Sequence, residues 1–501
     1  MIQRTLAMVT RSFRSDSRDI RSHLFRMGLP ALFVATLMVV QIDGGLRTAA
    51  GQNLFWTLAV YDYIFITFAA IAFFATAVSE EREAQTLGLL RMAGVTPLNI
   101  LMGKWLPPMW TALLLIAVQL PFTLLCVTLG GILWHQIFAV FLSLLAHLVL
   151  VGGLALLCSV VATSSTRAST WTAVLLAIWH VGTLILNAIL GRFGMPNLWL
   201  RNFLGPYRIN DICGASFSDS AFSYQVIANV IVGLAFMVIA YLIFDVTTTR
   251  IVTETKTSVS QKLRHAFSGR KRRAWATAPL AWHSLHYVAG GPTWLFLRLG
   301  IHFGISFLFF LWILTLGVGR LEPDMIAVPL IFWGIVAATL EGAYLASQLF
   351  RSETTGQTWG TLCMLPENMS TIAYSRLAGV LIGILPGLIC LGLGCLIIAD
   401  ELIRGLDDED FWIFLFYFLS IIIWGFHLAT LFSISLDWSA WPVSIFLATV
   451  VVTIFTVCSV ICAETTNGDE AFMLLAGMVA CGFTVATHIL IGVKLQQKMS
   501  E

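Results

Sequence analysis

The sequence predicts an all-α integral membrane protein whose twelve transmembrane helices form two parallel six-helix repeats. Composition, the spacing of apolar runs and an internal duplication carry that expectation. Of 501 residues, 58% are hydrophobic and 11% are charged, and the mean hydropathy is +0.86. A water-soluble chain carries about a quarter charged residues, so this one has too few to cover a solvated surface.

A helix needs roughly 20 residues to cross about 30 Å of hydrocarbon. Runs of that kind occur near 27 to 42, 56 to 79, 105 to 129, 134 to 162, 169 to 190 and 224 to 245. Six more follow near 296 to 318, 326 to 350, 376 to 398, 411 to 435, 440 to 462 and 471 to 493. The two sets are copies. Glu81 and Glu353 stand 272 residues apart, and the same offset pairs Gln85, Thr86, Gly88, Leu90, Met92, Ile100 and Lys104 with Gln357, Thr358, Gly360, Leu362, Met364, Ile372 and Arg376. It also pairs Arg26 and Gly28 with Arg298 and Gly300, so the register holds without a gap over about eighty residues. An even number of spans per copy gives both copies one orientation, unlike the inverted repeats of many secondary transporters.

Orientation follows from Lys and Arg in the short loops. The N-terminal tail holds Arg4, Arg11, Arg14, Arg18, Arg21 and Arg26, and the connector between the halves holds Arg250, Lys256, Lys262, Arg264 and the run from Arg270 to Arg273. Both are assigned to the cytoplasm, as are both termini, in the inner (plasma) membrane. Acidic residues such as Asp400, Asp408 and Asp469 mark the exterior, and one loop, with Arg192, Arg201 and Arg208, departs from the rule. The expected organisation is an amphipathic lead-in helix at 1–26, a first repeat at 27–246, a basic cytoplasmic linker at 247–279, and a second lead-in segment and repeat at 280–501. Leu6, Val9, Phe13, Ile20 and Leu24 among the arginines suit a lead-in helix lying on the lipid surface,.

Several chemistries find no purchase. The nine cysteines make no CxxC pair and no Cys/His spacing for a metal,. A net charge of +2 gives no nucleic-acid footprint,. Gly103-Lys104 is followed by Trp105 and has no glycine at the spacing a P-loop needs,. No catalytic residue, bound cofactor or metal is expected on this chain, and energy would have to come from a partner or from an ion gradient.

The charged island from Glu80 to Trp105 interrupts two apolar runs and recurs in the second half. Glu81 to Ala93 favours a helix that offers Leu87, Leu90 and Met92 for burial and ends at Gly94, after which Thr96 and Pro97 read as the N-cap and first position of the next span,. At these residues the chain resembles the ABC-2 type permeases, the membrane subunits of one class of ATP-binding-cassette transporter. The family's loop after the second span runs approximately Glu-x-Glu, Thr, Leu, Pro, Gly-Lys, and Glu81-Arg82-Glu83, Thr86, Leu90, Pro97 and Gly103-Lys104 fill it. In the second half Glu353, Thr358, Leu362 and Arg376 match, whereas Thr355, Met369 and Ser375 depart.

The resemblance implies a transmembrane domain of type V exporter-like build, in which each of these loops is a coupling helix that docks a separate P-loop ATPase subunit, two per chain. It also implies export, two short helices dipping into the membrane between the fifth and sixth spans, and contact with membrane lipid. The charged residues of the island are then expected to meet the ATPase, with Leu87 and Leu90 buried against the bundle or filling the partner's groove. A gradient-driven secondary transporter and a non-transporting membrane scaffold are the alternatives. A carrier would be expected to pair acids and bases in its core, and the sequence offers one evident intramembrane carboxylate, Glu341, with Ala69 as its counterpart and no obvious cationic mate,. His147, His180, His427 and His488 read as interhelical hydrogen-bonding groups, and Asp62 as an interfacial residue near the outer end of its span. Cys213, in the outer loop, is expected to be open to an impermeant thiol reagent.

Overall fold

The computed structural model describes residues 20–42, 50–192, 204–214, 217–253, 278–315, 323–351, 353, 359–405, 409–435, 441–447 and 469–500, with 10, 275 and 450 as single residues. Among them there is no strand, and nine helices are long and apolar enough to cross a membrane. The chain is therefore an all-α protein of multi-pass membrane character. The tail before residue 20, most of the basic linker and most of the predicted eleventh span lie outside the described residues.

Two compact units form, one holding Met1–Thr253 with Thr449–Gly468 and the other Glu254–Ala448 with Asp469–Glu501. In the first unit the helices are α1 (Ile20–Ile42), α2 (Ala50–Ala69), α3 (Ser79–Glu83), α4 (Thr86–Met92), α5 (Pro97–Val118), α6 (Leu120–Leu129), α7 (Trp134–Val161), α8 (Ser165–Arg192), α9 (Gly205–Ile212) and α10 (Tyr224–Thr253). The second holds α11 (Pro279–His283), α12 (Pro292–Thr315), α13 (Pro323–Gln348), α14 (Trp359–Cys363), α15 (Met369–Ile397), α16 (Ala399–Gly405), α17 (Glu409–Ser435) and α18 (Asp469–Ser500).

Helix α7 is the hub of the first unit. Apolar solvent supplies no hydrophobic drive between helices, so close backbone approach takes over: an added Cβ at Gly153 would strike the carbonyl of Gly233 on α10, and one at Gly233 would strike Val149. The second span is irregular. After Ala69 it widens into a π-helical turn, Ala70–Phe74, and the Ser169 hydroxyl on α8 donates to the Ile71 carbonyl at 3.1 Å. The corresponding span in the second unit, α13, runs as one α-helix from Pro323 to Gln348.

The third span begins at Pro97, as the island's end predicts and eight residues before its apolar run, because the proline pre-sets the helical φ and has no N–H to satisfy,. Thr96 is in the N-cap position, though its side chain makes no capping bond. Helix α10 continues to Thr253, so the first residues read as linker are helical.

Candidate functional site

The island folds as two short helices joined at Gln85, the one described non-glycine residue with left-handed backbone, φ 56°. Helix α4 ends as expected at Gly94, φ 72°, where the Val95 N–H donates to the Leu90 carbonyl at 3.2 Å and Gly94 N–H to the Arg91 carbonyl at 2.9 Å. That is the Schellman arrangement. Leu87 is buried and Leu90 half-buried against Val78, Ile100, Leu101, Val160 and Phe244, so the leucines face the bundle.

The charges of the loop also make bonds to the bundle. Lys104 Nζ lies 2.5 Å from Glu81 Oε1, which binds the start of the third span to the loop. Thr86 Oγ1 donates to Glu81 Oε2 and to its carbonyl. Arg82 donates to the carbonyls of Val160, at 2.8 Å, and Ala162, where α7 ends, while Glu83 accepts from the Ser165 N–H and hydroxyl, each at 2.9 Å, where α8 begins. Cation on a helix C-terminus and carboxylate on the next N-terminus both complement the helix dipoles. Arg91 reaches Asp245 of α10 at 2.5 Å. What the loop presents outward is Gln85, Gly88, Leu89 and Met92.

The second loop repeats the central pair. Arg376 Nη1 lies 2.9 Å from Glu353 Oε1, with the arginine side chain 1% exposed and its guanidinium over the Phe350 ring. Leu362 packs with Met369, Ile372 and Leu280. Trp359 donates to the Lys498 carbonyl at 3.1 Å, which fastens α14 to the C-terminal helix. Burial and the Arg376 charge hold His283 of α11 below the ordinary imidazole range, with Glu353 pulling the other way. Gly360 and Met364 are exposed, as their counterparts Gly88 and Met92 are. Thr358, Thr354 and Thr355 lie outside the described residues.

Glu341 does have a cationic mate, Arg298, and an imidazole partner, His302, which corrects the sequence reading. Arg298 Nη1 is 3.4 Å and His302 Nε2 is 3.2 Å from its Oε1. Trp333 donates its indole N–H to His302 Nδ1 at 3.2 Å, which leaves the imidazole proton on Nε2, pointing at the carboxylate. Arg298 also donates to the Gly383 carbonyl at 3.3 Å and to that of Ala289.

Asp62 is corrected too. It is 1% exposed, and neither carboxylate oxygen has a partner among the described residues. Its neighbour Tyr63 donates to His180 Nε2 at 2.5 Å, since His180 Nδ1–H is used on the Leu176 carbonyl. Thr67 donates its one hydroxyl proton to the Tyr63 carbonyl, so His147 Nε2–H donates to Thr67 at 3.0 Å. His488 meets Tyr374 on α15 at 2.9 Å, whereas His427 bonds within its own helix. Three of the four histidines thus bridge helices.

Between the fifth and sixth spans one short helix, α9, packs on α2 and α7, with Gly205 against the Tyr63 ring. Gln136 donates to the carbonyls of Ile212 and Gly214. Arg208, one of the arginines on the wrong side of the charge rule, is used up locally by Asp219 at 3.3 Å and the Ser220 carbonyl at 3.0 Å. Cys213 is buried, not open, and burial pushes its thiol up to about 12. Among the described residues no group of His, Cys, Asp and Glu is arranged for a metal ion. Comparison with family models, curated proteins and solved structures finds no match.

Proposed function

We propose that the chain is the membrane subunit of an ABC-2 type ATP-binding-cassette transporter, an exporter built from two six-helix repeats in the inner (plasma) membrane. Separate P-loop ATPase subunits, two per chain, dock on the loops at 80–104 and 352–376, and ATP with its magnesium is bound there and not on this chain. The observation that carries the reading is the repeated fastening: the same carboxylate is held by a cation on the same turn of the third span in both halves. A connector needs no such anchor. A loop that transmits force does, because a docking face moves a bundle only when it is rigidly tied to that bundle. In this reading Glu81, Arg82, Glu83 and Lys104 hold the coupling helix in place, and Gln85, Gly88, Leu89 and Met92 meet the ATPase.

A gradient-driven carrier is the second reading, favoured by the Arg298–Glu341–His302 cluster and by Asp62, since such carriers put ionisable groups on their ion pathways. Pull-down from native membranes distinguishes the two. A P-loop subunit recovered at two copies per chain, with no ATP hydrolysis by the chain alone, supports the first. Transport into vesicles that hold only this polypeptide and an ion gradient ends it.

A further inference from the structure

The second span carries one carboxylate per half on the same face, moved by two turns. Asp62 and Ala69 in the first half stand at the positions of Gly334 and Glu341 in the second, and seven residues is about two helical turns. Glu341 is held by Arg298. Its first-half counterpart Arg26 stands opposite Ala69 in register, two turns from Asp62, and its buried Nε has no partner among the described residues.

Asp62 faces α6. No side chain fits at Gly51, where an added Cβ would fall against the carbonyl oxygens of Cys126 and Gly130. Asp62 lies eleven residues on from Gly51, about three turns, and so on the same stripe. Gln119 lies seven residues before Cys126 and eleven before Gly130, between two and three turns back along the antiparallel α6 from the contact they share, and on the same stripe. The packing therefore brings Gln119 to the level of Asp62, at the point where the third span breaks between α5 and α6 ahead of Pro121. Gln119 is 0% exposed, and neither its amide oxygen nor its nitrogen has a partner among the described residues.

Apart from Arg26 of α1, the charges on the surrounding helices are engaged elsewhere. Lys104 of α5 is on Glu81, Arg208 of α9 on Asp219, and His147 of α7 on Thr67. Asp211 of α9 has its own interactions, and Tyr63 is on His180. An ionised carboxylate without a cation at this depth costs several kcal/mol.

We infer that Asp62 and Gln119 form a proton site within the first bundle, in which Asp62 is held as a neutral carboxylic acid. The acid and the amide are complementary: the acid O–H can donate to Gln119 Oε1 while its carbonyl accepts from Nε2. A sodium ion would need several more oxygen ligands at this point. This inference stands whether or not an ATPase drives the chain.

The test is infrared spectroscopy of the purified full-length chain at pH 7, as a difference between wild type and Asp62→Asn. The variant keeps the shape and neutrality of the acid and is expected to insert and fold as wild type does. Asp62→Leu serves as a second comparison. The expected result is a protonated-acid carbonyl band in wild type that shifts in heavy water, is absent from both variants, and shifts in Gln119→Leu. Carboxylate bands at that pH overturn the inference. So does a carbonyl band that disappears when choline chloride is replaced by sodium chloride at constant pH, since a metal cation would then compete for the site.

Discussion

In the first half Lys104 closes on Glu81 with a fifth of its side chain exposed, whereas in the second Arg376 closes on Glu353 almost entirely shielded from solvent. The bond is kept and its surroundings are changed. Around Glu81 the first loop adds Thr86, Arg82, Glu83 and Arg91, which reach Glu81 itself, the turn between α7 and α8, and α10. The second loop has lost most of those charges and leans on one buried pair, an aromatic contact and the C-terminal helix. Duplicated loops can thus be held rigid by many partly exposed bonds or by one deep bond, and the two designs should fail differently.

The largest difference follows from burial. Glu353→Ala leaves Arg376 uncompensated in the interior, and breaking a buried pair in this way costs about 3–5 kcal/mol. Glu81→Ala leaves Lys104, which can turn toward water, and Thr86, whose hydroxyl keeps the main-chain carbonyl of residue 81, for a loss of about 1 kcal/mol,. Denaturation of the purified variants in detergent compares them directly. Equal losses would erase the contrast between the two designs.

A smaller effect is expected at Glu341. Glu341→Gln keeps the hydrogen-bonding outline but removes the charge that Arg298 and His302 share, costing about 1.5–3 kcal/mol. Arg298→Gln should cost a similar amount, and the double variant clearly less than the sum, because the two act as one unit. In the proposed transporter Glu341→Gln lowers transport without weakening partner binding. Additive losses, or full transport across the pH range, would reduce the cluster to packing.

How far these contrasts were legible depends on the distance over which each is made. The offset of 272 residues aligned Glu81 with Glu353 and Lys104 with Arg376, yet their mutual bond spans twenty-three residues of intervening loop and appears only when the third span turns back under it. Leu87, Leu90, Gly94 and Pro97 were readable because burial periodicity and helix caps are local. Arg298 was already in the alignment, but its bond to Glu341 joins different helices. Asp62 was misread as interfacial because its burial depends on the approach of α6 at Gly51, a contact that sequence polarity does not encode. Cys213 failed for the same reason: the loop is short, but Gln52 and Gln136 draw it into the bundle by its backbone carbonyls. At neutral pH a maleimide should leave Cys213 unlabelled and react with a cysteine introduced at exposed Ser218 (Ser218→Cys); labelling of Cys213 in the folded chain would show the loop to be open.

The smallest effect on the chain itself is the sharpest test of what the two halves share. Gly88 and Gly360 occupy the same place in their loops, neither has left-handed backbone, and an added Cβ would meet nothing within 4 Å at either. Glycine inside a helix costs about 1 kcal/mol relative to alanine, so this chain has no folding reason to keep it twice. A surface that another chain approaches closely has one. Gly88→Leu and Gly360→Leu should leave insertion unchanged and stability equal or slightly raised, while each weakens binding of an ATPase subunit, and the double variant abolishes it. Because the Glu81 and Glu353 variants disturb the fold as well, only the glycines separate docking from fastening. Full partner affinity in the double leucine variant would mean that the shared outward face is not the docking face, whatever the ion pairs beneath it hold in place.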